Sequence, residues 1–165
     1  MAIDLSGIKT AFKTILDAAN DTAAAYDLSA GLTNRVQKVL KVNPAKIPVD
    51  ATYYPYVSIY MDRKPIELDT IAKDQLVGRR MSDLQFQIIG AVWEINTADA
   101  FTDDADEQIE KLMENVEEVI RRNHRLNNTV LWTRPQETTY HTGLIPDEEA
   151  HLRIGVMTLI ARIQY

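Results

Sequence analysis

Cysteine is absent from the 165-residue sequence. The chain therefore forms no disulfides and has no thiolate for nucleophilic or metal chemistry, and its redox compartment is not indicated. No apolar run approaches the length that spans a bilayer. The first nine residues lack a charged start followed by an apolar run, so we expect no secretory signal. These absences predict a soluble protein that is made in the cytosol and stays there, or is assembled there into something larger.

Acidic residues outnumber basic ones, 24 to 18, and give a formal net charge of −6. Neutralising phosphates requires clustered Lys and Arg, so the composition disfavours nucleic-acid binding as the main function. Lys73, Arg79 and Arg80 form one local basic group that could contact phosphate or an acidic partner. A second basic series, which a solvated helix face explains as well, comprises Arg35, Lys38, Lys41 and Lys46.

Motifs for catalysis are missing as well. The six glycines are scattered, and none opens a helix directly after a strand as a phosphate-binding loop requires. The sequence has neither a Gly-x-Ser-x-Gly turn nor a His-Glu-x-x-His helix. We therefore expect no enzyme and no cofactor.

Two clusters of polar residues could in principle hold a metal ion. The first, with imidazole and carboxylate ligands, comprises His141, Glu148, Glu149 and His151. A solvated turn with two surface histidines explains it more simply. The second comprises Asp103, Asp104, Asp106 and Glu107. Carboxylates are favourable at a helix N-terminus, so this cluster needs no cation either. The sequence thus predicts no metal site.

The strongest pattern that is present is an amphipathic helix over residues 103–122. Its apolar residues follow the spacing of a single helical face: Ile109, Leu112, Met113, Val116, Val119 and Ile120. Burying six such side chains contributes on the order of 10 kcal/mol, as an upper estimate. A helix with one apolar stripe must lie on another element, and the strand-like segments around it offer a sheet.

The remaining elements are predicted from shorter patterns. A first helix is expected over 5–19, with Asp4 or Ser6 as its cap. Residues 32–42 fit a short amphipathic helix, and the Val-Leu-x-Val ending at 39–42 could instead be a strand. Residues 63–78 form a polar excursion of unusual length, and 136–149 are polar and partly extended. Strands are expected over 53–62, 80–93, 129–133 and 150–165, the third ending at Pro135.

Together these elements predict one α+β domain over 1–165. It has a mostly antiparallel sheet of four strands, or slightly more, with two or three helices packed on it. The last strand is apolar on both faces, so we expect helices to cover one face and another subunit the other. In the strand over 53–62, Val57, Ile59 and Met61 alternate with Tyr56 and Tyr60. Those tyrosines either pack internally or are offered to a partner.

Four pieces, taken in order, carry a resemblance to a known family. They are the aromatic-Pro strand at 54–62, the alternating strand at 82–90, the Asp-rich start and helix at 103–122, and the acidic turn at 147–149 before the final strand. The chain resembles the tail terminator (tail completion) proteins of long-tailed bacteriophages, of the lambda-like type. The resemblance covers most of the sequence from about residue 3 onward.

This resemblance implies a virion protein at the head–tail junction, assembled in the host cytoplasm. It implies a six-membered ring on top of the tail tube that stops tube polymerisation and presents a surface to the head. The implied partners are further copies of the chain, the tail tube protein, and a head-completion or connector protein. DNA would pass through the channel without specific binding. The interface residues then expected are Tyr56, Tyr60, Lys73, Arg79 and Arg80.

Two other functions compete with this one. The first is a head-closure or neck adaptor, which the sequence barely separates from a terminator. The second is a small cytosolic metal- or ligand-binding module that uses the histidine and glutamate cluster around residues 141–151.

A closed ring needs a head-to-tail interface, and the two-faced final strand and the tyrosines supply surface for one.

Overall fold

The computed structural model describes residues 4–61, 81–95, 104–145 and 150–164. The described elements are α1 (Leu5–Ala19), β1 (Lys38–Leu40), two 3-10 turns (Pro44–Lys46 and Ala51–Tyr53), β2 (Tyr56–Tyr60), β3 (Met81–Ile95), α2 (Asp104–Arg122), β4 (Trp132–Ile145) and β5 (Ala150–Gln164). The α+β class is confirmed. Both helices begin and end within a residue of their predicted bounds.

Helix α1 begins after Asp4, one of its two predicted caps. The Asp4 carboxylate accepts a hydrogen bond from the backbone N–H of Gly7 at 2.8 Å, which satisfies one of the free donors of the first turn. The apolar stripe of the helix is buried, and the Phe12 ring packs against Phe86 of β3 with centroids 5.4 Å apart. The cap fixes where the helix starts, and the stripe fixes which side faces the sheet.

Helix α2 buries all six residues of its predicted stripe, each at 2% exposure or less. It lies across β3 and β5 where two glycines, Gly90 and Gly155, are paired in register. A Cβ built on Gly90 would lie 2.7 Å from the Met113 Sδ, and one on Gly155 would lie 2.5 Å from the Met113 Cγ. Met113 therefore occupies the space that two missing side chains leave, and the helix approaches the sheet closely there.

The sheet has five described strands in the order β1-β2-β3-β5-β4. Strand β1 runs parallel to β2, and the other three pairings are antiparallel. The prediction of a mostly antiparallel sheet of four strands, or slightly more, is therefore corrected to a mixed sheet of five. The additional strand comes from 32–42, where the strand alternative holds and the helix alternative is wrong. Its register places Val39 opposite Val57, and both side chains are buried.

Strand β4 is much longer than predicted. It was expected to end at Pro135, yet it pairs with β5 as far as Ile145. A register shift between Pro135 and Glu137 accommodates the proline, which cannot donate to the ladder. β4 is an edge strand whose exposed side chains are mostly polar, so it lacks the apolar alternation that would predict it.

The connection from α2 to β4 contains three residues with left-handed backbone conformations. Leu126, Asn127 and Asn128 have φ values of 45°, 56° and 65°. Asparagine tolerates this conformation better than most residues, which suits Asn127 and Asn128 to this turn. Leu126 is fully buried, so its packing into the core compensates for an unfavourable backbone conformation.

Both helices lie on the same face of the sheet, where the main core is formed. On β5 this face carries Gly155, Met157, Leu159, Ala161 and Ile163, all buried. The expectation that helices cover one face of β5 is thus confirmed. No described helix packs on the other sheet face, which we call the open face.

Candidate subunit interface

The open face carries a row of apolar side chains along β5. Its members are half-buried, in contrast to the fully buried residues of the helix-covered face: Leu152, Ile154, Val156 and Ile160. In the paired strand β3, Ile89 lies opposite Val156 and is 8% exposed. A half-buried apolar row on a sheet face is a surface that can be buried further by a partner. Cover by another subunit stays a prediction.

One end of the open face is covered by the chain itself. Tyr54 packs against Tyr56 and Trp93, with ring centroids 5.1 and 5.3 Å apart. Ile47 and Ala91 complete this second cluster. Burial raises the pKa of Tyr56 to about 12 and also raises the pKa of Tyr54, so both phenols stay neutral. The segment between β1 and β2 thus closes this end of the sheet.

This cluster decides between the two interpretations of Tyr56. Its side chain is only 3% exposed, so internal packing holds and Tyr56 has no free surface to offer a partner. Tyr60 lies at the other end of β2, opposite Gln87 in register, and is half-buried. An interface role for Tyr60 stays a prediction. Lys73, Arg79 and Arg80 lie outside the described residues, as does the predicted loop over 63–78.

A polar clamp joins three strands at the opposite end of the open face. The Arg162 guanidinium on β5 donates two hydrogen bonds of 2.7 Å to the Asp83 carboxylate on β3. It also lies over the Trp132 ring of β4, 4.9 Å from the centroid. The bidentate bond lowers the pKa of Asp83 below its usual value, against a smaller opposing effect of burial. Sequence analysis missed this group because the residues are 79 positions apart.

A second arginine ties the start of α2 to the sheet. The Arg153 guanidinium on β5 donates to the Asp106 carboxylate at 2.6 Å and contacts the Thr142 hydroxyl of β4. Asp106 belongs to the acidic cluster that the sequence attributes to a helix N-terminus and not to a bound cation. In the structure its carboxylate is paired with Arg153 of the same chain. Asp103 lies outside the described residues.

The histidine cluster is only partly described. His141 is exposed on β4, with its Nε2 3.3 Å from the Thr139 hydroxyl. Glu148, Glu149 and the His151 side chain lie outside the described part of the chain. Within that part, no group of three or more His, Asp or Glu side chains is arranged to hold a metal ion.

An open groove of about 280 Å³ lies between the C-terminal halves of the two helices. Its wall includes Ala18, Ala24, Tyr26, Val119 and Asn123. The Arg122 guanidinium lies 4.7 Å from the centroid of the Tyr26 ring, which forms part of this wall. The described lining supplies amide and hydroxyl groups, and neither a carboxylate nor an imidazole.

No protein-family model matches this chain, and no curated protein matches it. Among the described residues, no helix is both long enough and apolar enough to cross a membrane.

Proposed function

We propose that this chain is a structural protein of a phage virion that forms a ring at the top of the tail tube. There it ends tube polymerisation and forms the surface to which the head is joined. It performs no reaction, and its partners are copies of itself, the tail tube protein, and a head-completion or connector protein. DNA passes through the ring without specific binding.

The observation that carries the proposal is the one-sided cover of the sheet. Two helices bury the apolar core residues of one face, while the opposite face keeps its apolar β5 row half-buried. A chain whose described residues leave an apolar row half-buried on a second sheet face gains stability by packing that row against other chains. This favours an assembly protein over a self-contained binding module.

The two sides of the domain also differ in chemistry, as a terminator requires. One side is the open face, with its apolar row and Tyr60. The other is the solvent side of α2, which carries Glu107, Glu110, Glu114 and Glu118. A ring that binds the tube below and a connector above needs two unlike surfaces, because a ring with two equivalent surfaces would let the tube continue.

Two arginine side chains, Arg162 and Arg153, order the strands of the open face and the helix behind them before any partner binds. Arg162 fixes β3, β4 and β5 relative to one another, and Arg153 fixes α2 to β4 and β5. Surfaces that are ordered before binding lose less conformational entropy on assembly. This supports docking onto a finished tube with little rearrangement of the described core.

Immunogold electron microscopy of intact virions tests the proposal. The phage that encodes the chain is labelled with an antibody raised against the purified protein, and a virion preparation blocked with excess free protein serves as control. Gold confined to the head–tail junction is the expected result. Comparing released tails with tail-less heads then separates the two virion functions, because a terminator stays with the tail and a neck adaptor stays with the head. Absence of label from virions would contradict the proposal.

A further inference from the structure

We propose that two copies of this chain pair through strand β4, with the two strands antiparallel and related by a two-fold axis at Tyr140. This goes beyond the proposed function. A ring with one rotation axis is built from head-to-tail contacts, whereas this contact joins the same surface of both copies. It therefore describes the free chain, and it can be tested without a virion.

The β4 edge is long and poorly protected. Within the described residues, β4 pairs only with β5, so its outer row of backbone N–H and C=O groups has no strand partner. Residues 138–145 contain no Lys, Arg, Asp, Glu or Pro, which are residues that keep an edge strand from pairing with another chain. An added extended strand fits such an edge, because its N–H and C=O groups recur at the matching spacing.

The opposite edge of the described sheet is protected. It is formed by β1, which has only three residues, and Lys38 on this strand is exposed. Pro44 follows shortly after the strand. A short strand, an exposed lysine and a nearby proline are features that keep an edge free. Of the two edges, β4 of a second copy is therefore the one that can pair with β4 over several residues.

The side chains in the middle of β4 suit pairing with themselves. Tyr140 is 47% exposed, and it pairs with Gly155 beneath α2, so it stands on the helix side of the sheet. A two-fold axis at this position brings Tyr140 of the two copies directly opposite each other. It also places Thr138 of each copy opposite Thr142 of the other. Aromatic pairs and threonine pairs are favourable cross-strand neighbours.

Neither charge nor the helices obstruct this pairing. The nearest charged residue of the strand, Glu137, lies opposite Gly143 in this register, so no like charges meet. Helix α2 lies across β3 and β5, and β4 is the next strand outward. The α2 axes of two paired copies are then about four strand spacings apart, or about 19 Å. This exceeds the diameter of a helix with its side chains, about 10–12 Å, and leaves space for both Tyr140 rings.

The contact is small, which determines its expected strength. Residues 137–143 span about 23 Å along the strand. One strand pair of this length buries less than the roughly 800 Å² per partner of a standard interface. We therefore expect a reversible dimer with a dissociation constant in the micromolar range or weaker.

Analytical ultracentrifugation of the full chain measures this equilibrium. Tyr140→Lys places two ammonium groups opposite each other at the axis, so we expect the dissociation constant to rise about tenfold or more. The matched control is Val49→Lys, which adds the same charge at an apolar residue that is 60% exposed and lies between the two 3-10 turns. It should dimerise like wild type, and thermal melting confirms that both variants fold.

Single cysteine substitutions test the register, because the chain has no cysteine of its own. Residues directly opposite in an antiparallel pair have Cα atoms about 5 Å apart, which a disulfide can span. Tyr140→Cys should therefore give a covalent dimer on oxidation, at a concentration where the wild type dimerises. Thr138→Cys lies on the same side of the same strand but about 13 Å from its own counterpart along the strand. It should stay unlinked.

Three results would overturn the inference: a wild-type chain that stays monomeric at about 1 mM, a Tyr140→Lys variant that dimerises like wild type, or a Tyr140→Cys variant that links no faster than Thr138→Cys. None of these results decides the proposed function. Gold label at the head–tail junction would still support that function for a chain that is monomeric in solution, and a dimer without virion label would support the inference alone.

Discussion

The two faces of β5 have similar apolar content and different surroundings. On one face, Met157, Leu159 and Ala161 are fully buried beneath the helices. On the other, Ile154, Val156 and Ile160 are half-buried. The apolar pattern alone predicted that both faces are covered, and it could not say which cover comes from within the chain. The difference shows that hydrophobicity indicates the need for a partner surface, while the chain's own helices decide which face still needs one.

The largest expected effect comes from a charge on the covered side. Val116 of α2 is fully buried, and Val116→Asp would place a carboxylate in the core without a partner. We expect a loss of more than about 4 kcal/mol in unfolding free energy, which leaves the chain unfolded at ambient temperature. Circular dichroism and thermal melting measure it, with Glu114→Asp on the exposed side of the same helix as control. A folded variant with unchanged melting would show that the helix face is assigned wrongly.

The contact between α2 and the sheet should be the next most sensitive. In Gly155→Ala the added Cβ would lie 2.5 Å from the Met113 Cγ, so the helix must shift or the methionine must repack. We expect a loss of about 2 kcal/mol in unfolding free energy, measured by denaturant titration. Gly143→Ala is the matched control on β4, where the nearest atom is the Leu152 Cβ at an ordinary 3.5 Å. Equal stability of the two variants would contradict the close approach.

On the open face, the Arg162–Asp83 pair should contribute a smaller, pH-dependent effect. The pKa of Asp83 is lowered in the folded state, mainly by its hydrogen bonds to Arg162. A lowered folded-state pKa adds stability that is present above the unfolded pKa, near pH 4, and is lost as pH falls through the folded value. Because the Asp83 side chain is 42% exposed, solvent screening limits the effect to under about 1 kcal/mol.

The variant Asp83→Asn isolates that contribution. At pH 7 it should be slightly less stable than wild type, and the difference should shrink as the pH falls below the unfolded pKa of Asp83. Denaturant titrations across pH 2 to 7 measure both proteins, since Asp27 and Asp50 also have lowered pKa values and affect both equally. A difference that stays constant across this range would show that the carboxylate charge does not matter.

The smallest effect on stability is expected at Tyr60. Tyr60→Ala removes a half-buried ring at the free end of β2, so it should lower the melting temperature little while reducing the yield of complete virions. Tyr56→Ala is the comparison on the same strand: it empties a buried site and should lower stability by about 3 kcal/mol. If Tyr60→Ala destabilises the free chain as much as Tyr56→Ala, Tyr60 belongs to the fold and not to an interface.

Sequence patterns predicted the elements that bury a regular stripe. The helices and strands β3 and β5 follow from periodicity alone, since their apolar residues recur at 3.6 or 2 positions. Strand β1 did not follow, because in three residues only Val39 enters the core and the pairing with β2 determines the conformation. Most of β4 was predicted only as a polar, partly extended segment, because an edge strand with mostly polar, exposed side chains has no apolar alternation to detect.

The candidate interface was harder to predict, since it depends on contacts between distant parts of the chain. Tyr56 was expected to face outward, and it does lie on the open face. Its burial comes from Tyr54 and Ile47, which fold back over the sheet from the preceding segment. The Asp83–Arg162 pair and the position of Tyr140 on the helix side of the sheet likewise depend on strand register, which a single sequence does not specify.

The packing of Met113 against Gly90 and Gly155 restricts how α2 can move on the sheet. Because Met113 fills the space above the two glycines, α2 cannot shift along the sheet unless this side chain first leaves that space. Any sliding of α2 would have to raise Met113 over a strand backbone. The glutamates of α2 are therefore held at a fixed position along β3 and β5.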